Sequence, residues 1–245
     1  MQHVLIIGAT SAIAEHVARL LAAAGAALYL TGRDGERLDA IAADLRVRGA
    51  ARVVTDRVDI TDSAARAGLI ERAASALGGL DSVILAAGSL PEQARAQDDA
   101  HLLAEAFDVN AIGPMAILHE GASYLARQGH GQLVAIGSVA GDRGRATNYV
   151  YGAAKGALEI FMSGLRQRLQ GSGVKVLLVK PGFVDTPMTA AFDKGPLWTS
   201  PQRVARDLVR AMEHGRAVLY TPWYWRWIMR VIRALPEPLF VRLRF

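Results

Sequence analysis

The chain has 245 residues, of which 51% are hydrophobic and none is cysteine. This length suits one large α/β domain better than two small ones, and the lack of cysteine excludes disulfides and thiolate metal sites, so no metal centre is expected. The formal net charge is +5, but residues 223–245 hold five arginines and one glutamate, so the rest of the chain is nearly neutral and is not expected to bind nucleic acid.

The N-terminus runs directly into a predicted strand, without a basic leader. No apolar run in the sequence approaches the roughly 20 residues that a membrane-spanning helix requires. We therefore expect a cytoplasmic protein that carries no signal peptide.

Short apolar runs rich in β-branched residues alternate with alanine-rich amphipathic segments. Apolar strands separated by helices are typical of a parallel sheet that is covered on both faces. We predict an α/β fold with one doubly wound parallel sheet of about seven strands in residues 1–222, followed by a C-terminal amphipathic tail in residues 223–245. Ligands of such folds bind beyond the carboxyl ends of the strands. The predicted strands are 4–7, 27–30, 53–58, 82–87, 132–136, 175–179 and 217–220.

The first predicted strand is followed by Gly8 and then by the start of a helix. A glycine at such a turn lets the backbone bend sharply, and the free amides of the helix start can hold a pyrophosphate. A strand-to-helix turn with a single glycine is more often plain structure. By itself this feature leaves a nucleotide site and a structural turn open.

Charged residues end the second and third predicted strands. Arg33 and Asp34 follow the second strand, where a dinucleotide site reads the adenosine ribose. Arginine can take a 2′-phosphate there, whereas an acidic residue favours a free hydroxyl, so Arg33 favours NADPH and Asp34 leaves NADH as an alternative. Asp59 follows the third strand and could accept a hydrogen bond from adenine or cap the helix that starts near Asp62.

Small residues, Ala87 and Gly88, close the fourth predicted strand and would let a flat ring or a sugar lie against the backbone. Farther along, Asn110 is a polar residue inside an apolar helical stretch. Taken alone, Asn110 is interpreted as a residue that packs or kinks a helix.

The stretch 138–155 is predicted to be a loop that carries Ser138 into a helix that carries Tyr151 and Lys155. Four residues apart, the tyrosine and the lysine share one helix face, about 6 Å apart along the axis. The pKa of a free tyrosine is about 10, and a neighbouring cation favours the phenolate. We therefore expect Lys155 to lower the pKa of Tyr151 toward the range of an efficient general acid or base, while the Ser138 hydroxyl polarises a carbonyl or holds an alcohol.

These features, in this order, resemble the classical short-chain dehydrogenase/reductase (SDR) family over nearly the whole chain. The family's Tyr-x-x-x-Lys signature matches Tyr151 and Lys155, its serine matches Ser138, and its helix asparagine matches Asn110. Its Pro-Gly pair after the sixth strand matches Pro181-Gly182. The resemblance implies a Rossmann-like fold and an NAD(P)-dependent oxidoreductase.

The resemblance also implies the reaction, which is hydride transfer between a nicotinamide ring and a small-molecule carbonyl or secondary alcohol. In the reducing direction, Tyr151 would protonate the developing alkoxide and Ser138 would hold the substrate oxygen. Lys155 would bind the nicotinamide ribose, and Asn110 would hold a water of the proton relay. A catalytically silent NAD(P)-binding sensor or scaffold is the alternative, but such a protein has no chemical need for the complete set.

By the same resemblance the cofactor is NADP, with NAD as the alternative, and the protein is a homodimer or homotetramer. Ala12 and Ala14 stand where the family has its second and third glycines. Alanine tolerates a helical backbone, so this departure bears on cofactor affinity rather than on the reaction type. The residues implied to contact the cofactor are Gly8, Ser11, Ile13, Arg33, Asp59, Ile60, Ala87, Gly88, Tyr151, Lys155, Pro181, Gly182, Val184 and Thr186.

Residues 187–203 occupy the place of the family's variable substrate lid. The segment is short, and it offers apolar side chains at Met188, Phe192, Leu197 and Trp198. A short apolar lid predicts an open mouth that suits a substrate with a bulky or lipid-like part. The alternative is that Trp198 only packs the lid against the domain.

The tail in residues 223–245 has helical periodicity, with Arg226, Arg230 and Arg233 in one stripe and apolar residues opposite. Aromatic rings beside arginines suit a helix that lies on the cytoplasmic face of a membrane, whereas a subunit interface and a cover over the substrate cleft are the alternatives. The tail and the first turn also resemble, more weakly, the branch of the family around the reductase of decaprenylphosphoryl-2-keto-ribose. This second resemblance implies a keto-sugar or lipid-linked substrate.

Overall fold

The structure, a computed structural model, describes residues 2–243. Met1, Arg244 and Phe245 lie outside the described residues, so the predicted tail is followed here as far as Leu243. Within the described part, the chain forms one parallel sheet of seven strands with helices on both faces, which confirms the predicted doubly wound fold.

All seven predicted strands are present in the main sheet. Their order is third, second, first, fourth, fifth, sixth and last, so the strand order reverses beside the first strand. This reversal opens the crevice in which α/β proteins bind their ligands. The strands of the main sheet are β1 (His3–Ile7), β2 (Ala27–Gly32), β3 (Arg52–Arg57), β4 (Ser82–Leu85), β5 (Gly131–Ile136), β6 (Val174–Pro181) and β9 (Val218–Thr221), and β7 (Phe183–Val184) pairs with β8 (Trp198–Thr199) in a separate small sheet.

The main sheet divides the apolar core into two layers. Along β1, Val4 and Ile6 point into one layer, whereas Leu5 and Ile7 point into the other, because successive side chains of a strand alternate. All four side chains are fully buried, which is why the strand is a continuous apolar run in the sequence.

Helices cover both layers of this core. The first, second and ninth helices cover one layer, and the fourth, seventh and eighth cover the other. The helices are α1 (Ala12–Ala23), α2 (Gly35–Val47), α3 (Ser63–Arg66), α4 (Leu69–Leu77), α5 (Gln93–Ala96), α6 (Ala100–Phe107), α7 (Gly113–Gln128), α8 (Tyr149–Arg168), α9 (Pro201–Glu213), α10 (Trp225–Ala234) and α11 (Glu237–Phe240).

A π-helical turn, Asp108–Ile112, joins α6 to α7. Such turns carry one extra residue in the helix and often mark functional sites. Asn110 lies in this turn and is fully buried, which agrees with its interpretation as a residue at a helix irregularity.

The tail packs on its own domain through one side of α10. Trp225 and Met229 are buried against Val139, and partly buried residues complete this small cluster at Tyr220, Tyr224, Ile228 and Ile232. Only part of the apolar side predicted from the sequence therefore packs on the domain. Trp227 and Val231 lie exposed on the outer side of the helix. Among residues 2–243, no helix combines the length and apolarity that a membrane crossing requires.

Candidate active site

A cleft with a volume of about 940 Å³ opens beyond the carboxyl ends of the central strands. The predicted lid contributes Met188, Phe192 and Trp198 to its wall. All predicted site residues except Asn110 line this cleft, namely Gly8, Ser11, Ile13, Arg33, Asp59, Ile60, Ala87, Gly88, Ser138, Tyr151, Lys155, Pro181, Gly182, Val184 and Thr186.

Ser138 directly precedes a short 3₁₀ helix, Val139–Asp142, that follows β5. Its Oγ accepts a hydrogen bond from Ala140 N at 3.1 Å, which fixes the serine side chain at the end of the sheet. The Ser138 hydroxyl also faces the hydroxyl of Tyr151 in the first turn of α8 and acts to lower the pKa of that tyrosine. The loop and helix predicted for residues 138–155 therefore bring these two hydroxyl groups together.

Burial raises the pKa of Tyr151 to about 12, and the hydrogen bond with Ser138 opposes this rise only in part. Lys155 Nζ lies 5.7 Å from the centroid of the tyrosine ring. The predicted lowering of the Tyr151 pKa by Lys155 is therefore wrong for this arrangement, because loss of solvent around the phenolate is the dominant effect. At neutral pH Tyr151 is a protonated hydroxyl, which is the form that a general acid needs.

Lys155 is only 4% exposed, and its Nζ donates to Ile136 O at 3.3 Å. Burial lowers its pKa to about 8, so Lys155 is mostly protonated at pH 7 but loses its charge not far above it. A Cβ at Gly88 would lie 2.9 Å from Asn110 Oδ1 and 3.2 Å from Lys155 Nζ. The absence of a side chain at Gly88 therefore lets both polar groups approach the end of β4.

Asn110 lies behind the cleft wall and binds the chain that follows β4. Its Nδ2 donates to Ser89 O at 3.0 Å and to Ala106 O at 2.9 Å, and its Oδ1 accepts from Ser89 N at 3.2 Å. These bonds tie the π-helical turn to the wall beside Lys155.

The turn after β1 depends on Gly8, whose φ of 77° lies in the left-handed region. A Cβ at this position would lie 2.6 Å from Ala87 N, so a larger residue does not fit. Ser11 precedes α1 without a side-chain capping bond, and the first amides of that helix therefore keep free hydrogens at the cleft. Such amides, at the positive end of the helix dipole, favour an anion.

The end of β2 presents two arginines to the cleft. Asp34 Oδ1 accepts a hydrogen bond from Arg37 N at 3.0 Å and thereby caps α2. Asp34 is the acidic residue because of which NADH was kept as the alternative cofactor. Arg33 and Arg37 both line the cleft. The sequence analysis missed Arg37, although Asp34 as a helix cap would have placed it in the first turn of α2, close to Arg33.

Asp59 lines the cleft after β3, and its Oδ1 accepts hydrogen bonds from Thr61 N at 2.9 Å and Thr61 Oγ1 at 2.8 Å. The backbone bond to Thr61 is the main cause that lowers the pKa of Asp59, and the charge of Arg33 adds to it. The helix cap is Asp62, whose Oδ1 accepts from Ala64 N at 2.8 Å. The alternative interpretation of Asp59 as this cap is therefore wrong.

These groups fit a nicotinamide adenine dinucleotide. The glycine turn and the free amides of α1 suit a pyrophosphate, and Arg33 and Arg37 suit an additional phosphate on the adenosine ribose. Ala87 and Gly88 leave room for a flat ring or a sugar against the backbone. Ala12, in place of a family glycine, lines the cleft within the first turn of α1, as its helical backbone allows.

The Pro181-Gly182 turn ends β6 and forms the opposite wall of the cleft. The next residues are fixed by Thr189, whose Oγ1 donates to Val184 O at 2.6 Å and accepts from Thr186 N at 3.2 Å. This pair of bonds ties the start of the lid to β7, directly after the turn.

The lid and the tail meet in a stack of aromatic rings. Trp198 stacks on Phe183 with ring centroids 5.5 Å apart, and Phe183 meets Trp225 edge-on at 5.1 Å. Trp198 therefore does pack the lid down, as the alternative interpretation held, while it also lines the cleft. Met188 and Phe192 are about half exposed at the cleft mouth and leave it open.

One wall of the cleft carries polar side chains that the sequence analysis missed. Gln93, Arg145 and Asn148 line it, and Gln93 Oε1 accepts from Val150 N at 3.2 Å. Three of their atoms, Gln93 Nε2, Arg145 Nε and Asn148 Oδ1, are buried without a hydrogen-bond partner in the described part of the chain. Arg145 and Asn148 could have been identified as cleft residues from the sequence, because they lie between Ser138 and the helix that carries Tyr151.

Comparison with known proteins agrees with this geometry. The family model described as short chain dehydrogenase matches residues 2–196. An uncharacterized oxidoreductase of Mycobacterium tuberculosis is 38% identical over 240 residues, which cover 98% of this chain and 96% of that protein. An uncharacterized oxidoreductase of Streptomyces coelicolor is 37% identical over 245 residues, which cover 98% of this chain and 94% of that protein.

Solved structures share the fold over the whole chain. A short-chain dehydrogenase from Sphingobium yanoikuyae in complex with NADPH superposes with a TM-score of 0.85 at 26% identity, and the match covers 100% of this chain and 97% of that one. A bulky-bulky ketone specific alcohol dehydrogenase from Comamonas testosteroni has the same fold, with a TM-score of 0.83 at 22% identity over 100% and 95% of the two chains. The chain belongs to the short-chain dehydrogenase/reductase family and is an NAD(P)-dependent oxidoreductase.

Proposed function

We propose that the protein reduces a ketone with NADPH and that Tyr151 is the general acid of this reaction. The observation that carries the proposal is the place of Tyr151 in the cleft together with Ser138 and Lys155, where burial raises the pKa of the tyrosine hydroxyl to about 12. A hydroxyl that stays protonated at neutral pH can give its proton to an alkoxide as this forms. In the reverse reaction, alcohol oxidation, Tyr151 would accept the proton as the phenolate.

Ser138 positions the substrate. Ser138 Oγ accepts from Ala140 N, and when a ketone binds, the serine proton would turn from Tyr151 to the carbonyl oxygen and hold it beside Tyr151. When bound, the nicotinamide ring supplies the hydride that reduces the carbonyl carbon. Proton donation from Tyr151 then completes the alcohol.

Lys155 supports Tyr151 in two ways. Its ammonium, 5.7 Å from the tyrosine ring, stabilises the phenolate that proton donation leaves behind, and the same group binds the nicotinamide ribose. Asn110 Oδ1 and Lys155 Nζ both approach Gly88 without a direct hydrogen bond between them. We propose that a water bound between Asn110 Oδ1 and Lys155 Nζ relays the proton that Tyr151 must recover after each turnover.

NADPH is preferred over NADH because two arginines and no free carboxylate face the expected position of the adenosine ribose. Arg33 and Arg37 supply the positive charge, while Asp34 caps α2 through its Oδ1 and does not line the cleft. The structure of the NADPH complex from Sphingobium yanoikuyae, at 26% identity, supports the same cofactor class.

The substrate is a hydroxylated ketone, such as a keto-sugar, that carries a bulky or lipid-like part. Its hydroxyl groups would face the polar wall of Gln93, Arg145 and Asn148, and its apolar part would leave through the open mouth beside Met188 and Phe192. The weaker resemblance to the keto-ribose reductase branch supports the same class.

The outer side of the tail is our candidate for contact with the cytoplasmic face of a membrane. Trp223, Trp227 and Val231 are each more than half exposed, and Arg226 and Arg230 lie exposed beside them. Exposed aromatic rings next to arginines suit anionic lipid headgroups. This placement would bring a lipid-linked ketone to the cleft.

A homodimer or homotetramer is proposed from the outer faces of α7 and α8. Ile160 in the middle of α8 is 76% exposed, and Ile112 just before α7 is 51% exposed. Covering such side chains with a second copy would stabilise the pair. Light scattering of the wild type and of Ile160→Glu tests this, and a monomeric wild type contradicts it.

The test of the proposed reaction is NADPH oxidation against a panel of ketones in matched pairs that differ by one hydroxyl group. We expect turnover of hydroxylated ketones by the wild type and none by Tyr151→Phe, with NADPH binding retained in both. Retained turnover in Tyr151→Phe contradicts the role of Tyr151. A wild type that binds NADPH and reduces no ketone supports the sensor or scaffold alternative.

A further inference from the structure

Lys180 lies at the end of β6, directly before Pro181, and is only 1% exposed. Its ammonium binds the carboxylate of Asp142 and, at 2.6 Å, Oε1 of Glu159. Tyr220, the partner of Lys180 across the sheet, donates its hydroxyl to Asp142 Oδ2 at 3.1 Å. We call Lys180, Asp142, Glu159 and Tyr220 the buried ion cluster.

The cluster is charged in spite of its burial. Burial works against the ammonium of Lys180, but the hydrogen bonds and charges of Asp142 and Glu159 outweigh it and hold the pKa of Lys180 above its ordinary value. The side chain of Asp142 is fully buried, and that of Glu159 is 30% exposed. Buried ion pairs add little stability over apolar residues of similar size, but they demand a strict geometry.

Three members of the cluster, Asp142, Glu159 and Lys180, lie on different elements of the candidate active site. Asp142 ends the 3₁₀ helix that follows Ser138. Glu159 lies one turn after Lys155 and two turns after Tyr151 on α8, so these three side chains share one face of the helix.

None of the four cluster residues lines the cleft. The cleft is lined instead by residues on the same elements, namely Ser138, Tyr151, Lys155 and Pro181. The cluster therefore joins the serine loop, the tyrosine helix and the Pro181-Gly182 strand from behind. The buried ammonium of Lys180, on the strand that ends in Pro181, binds both Asp142 of the serine loop and Glu159 of the tyrosine helix.

We infer that Lys180 and Asp142 are positioning residues that set the approach of the Ser138 and Tyr151 hydroxyls to each other. The inference rests on the proposed function, because it assumes that these two hydroxyls act together on a carbonyl. Displacement of the 3₁₀ helix moves Ser138 and leaves Tyr151 in place. A small displacement of this kind lowers the rate steeply, since proton transfer and oxygen binding must occur at one atom.

The inference is tested with Asp142→Asn, which keeps the size of the side chain and removes its charge, alone and combined with Ser138→Ala. We expect Asp142→Asn to lower kcat about tenfold or more while the affinity for NADPH is unchanged. In the Ser138→Ala background the same substitution should lower kcat no further, because the group that it positions is already gone. Additive losses, or an unchanged kcat in Asp142→Asn, overturn the inference.

The matched control is Asp44→Asn, which removes a carboxylate from the ion pairs with Arg19 and Arg48 on the outside of α2 and should leave kcat unchanged. Circular dichroism and thermal melting establish that each variant folds. If Asp142→Asn does not fold, Tyr220→Phe serves in the same cycle, because it removes a hydrogen bond to Asp142 and leaves the ion pairs in place. A wild type without ketone turnover contradicts the proposed function, whereas turnover with additive losses contradicts only the positioning role.

Discussion

Gly182 lies directly against the indole of Trp225, so a Cβ at Gly182 would overlap that ring. Gly182 belongs to the turn at the end of β6, and Trp225 is the first residue of α10. Arg143 holds the same helix from the serine loop, where its guanidinium donates to two carbonyl oxygens at the C-terminal end of α10, each at 2.7 Å. The tail therefore packs on two walls of the cleft.

We expect Gly182→Ala to weaken NADPH binding and to destabilise the fold by about 1–3 kcal/mol, because the new methyl must displace the indole of Trp225. Fluorescence titration and urea denaturation measure the two effects. The double variant Gly182→Ala/Trp225→Leu should recover part of the cofactor affinity, since leucine leaves room for the methyl. Equal or greater loss in the double variant contradicts this explanation.

Ketone reduction should decline as the pH rises above about 8, because Lys155 then loses the charge that supports Tyr151. Tyr151, with its pKa near 12, stays protonated and cannot cause this decline. The pH profile of kcat/KM measures it, and a flat profile to about pH 10 contradicts it. Between pH 8 and 10.5 the unfolded chain binds more protons at Lys155 than the folded one does, so the same residue makes folding more favourable as the pH rises through that window.

Arg33→Ala and Arg37→Ala should each raise the KM for NADPH about tenfold or more, because a charge-assisted bond to the 2′-phosphate is lost. The KM for NADH should change little, since NADH lacks that phosphate. Steady-state kinetics with both cofactors measure the difference. The control is Arg52→Ala at the opposite end of β3, and an equal rise for NADPH and NADH in the test variants contradicts the assignment.

The tail should bind vesicles that contain phosphatidylglycerol and not vesicles of phosphatidylcholine alone. Trp227→Ser combined with Val231→Ser should reduce flotation, because the apolar contact is removed from the outer side of α10. The control is Val47→Ser, which removes an exposed apolar side chain from the end of α2. Equal flotation of the wild type and the tail variant removes the membrane hypothesis.

The strands and the order of the site residues could be predicted from the sequence because both are local patterns. The run from Val4 to Ile7 is apolar on both faces of the sheet, and the Tyr151–Lys155 spacing fixes a shared helix face. Ala86 to Gly88 leave the sheet and form cleft wall, which is why the observed β4 is shorter than the predicted strand.

Burial and long-range pairing could not be predicted in the same way. The pKa of Tyr151 depends on how much solvent the folded chain removes from its hydroxyl, and this effect is the dominant one. Lys180 and Asp142 are 38 residues apart, and neither residue signals the other in the sequence. The contact of the tail with Gly182 likewise joins segments whose local patterns are independent of each other.

The most direct test of the central claim is a single-turnover measurement of NADPH oxidation by the wild type and Tyr151→Phe, with saturating ketone and with NADPH affinity measured in parallel. We expect unchanged NADPH affinity and a rate lowered by at least about a hundredfold in the variant, because phenylalanine keeps the ring and removes the proton donor. A variant that binds NADPH and oxidises it at nearly the wild-type rate would contradict the assignment of Tyr151 as the general acid.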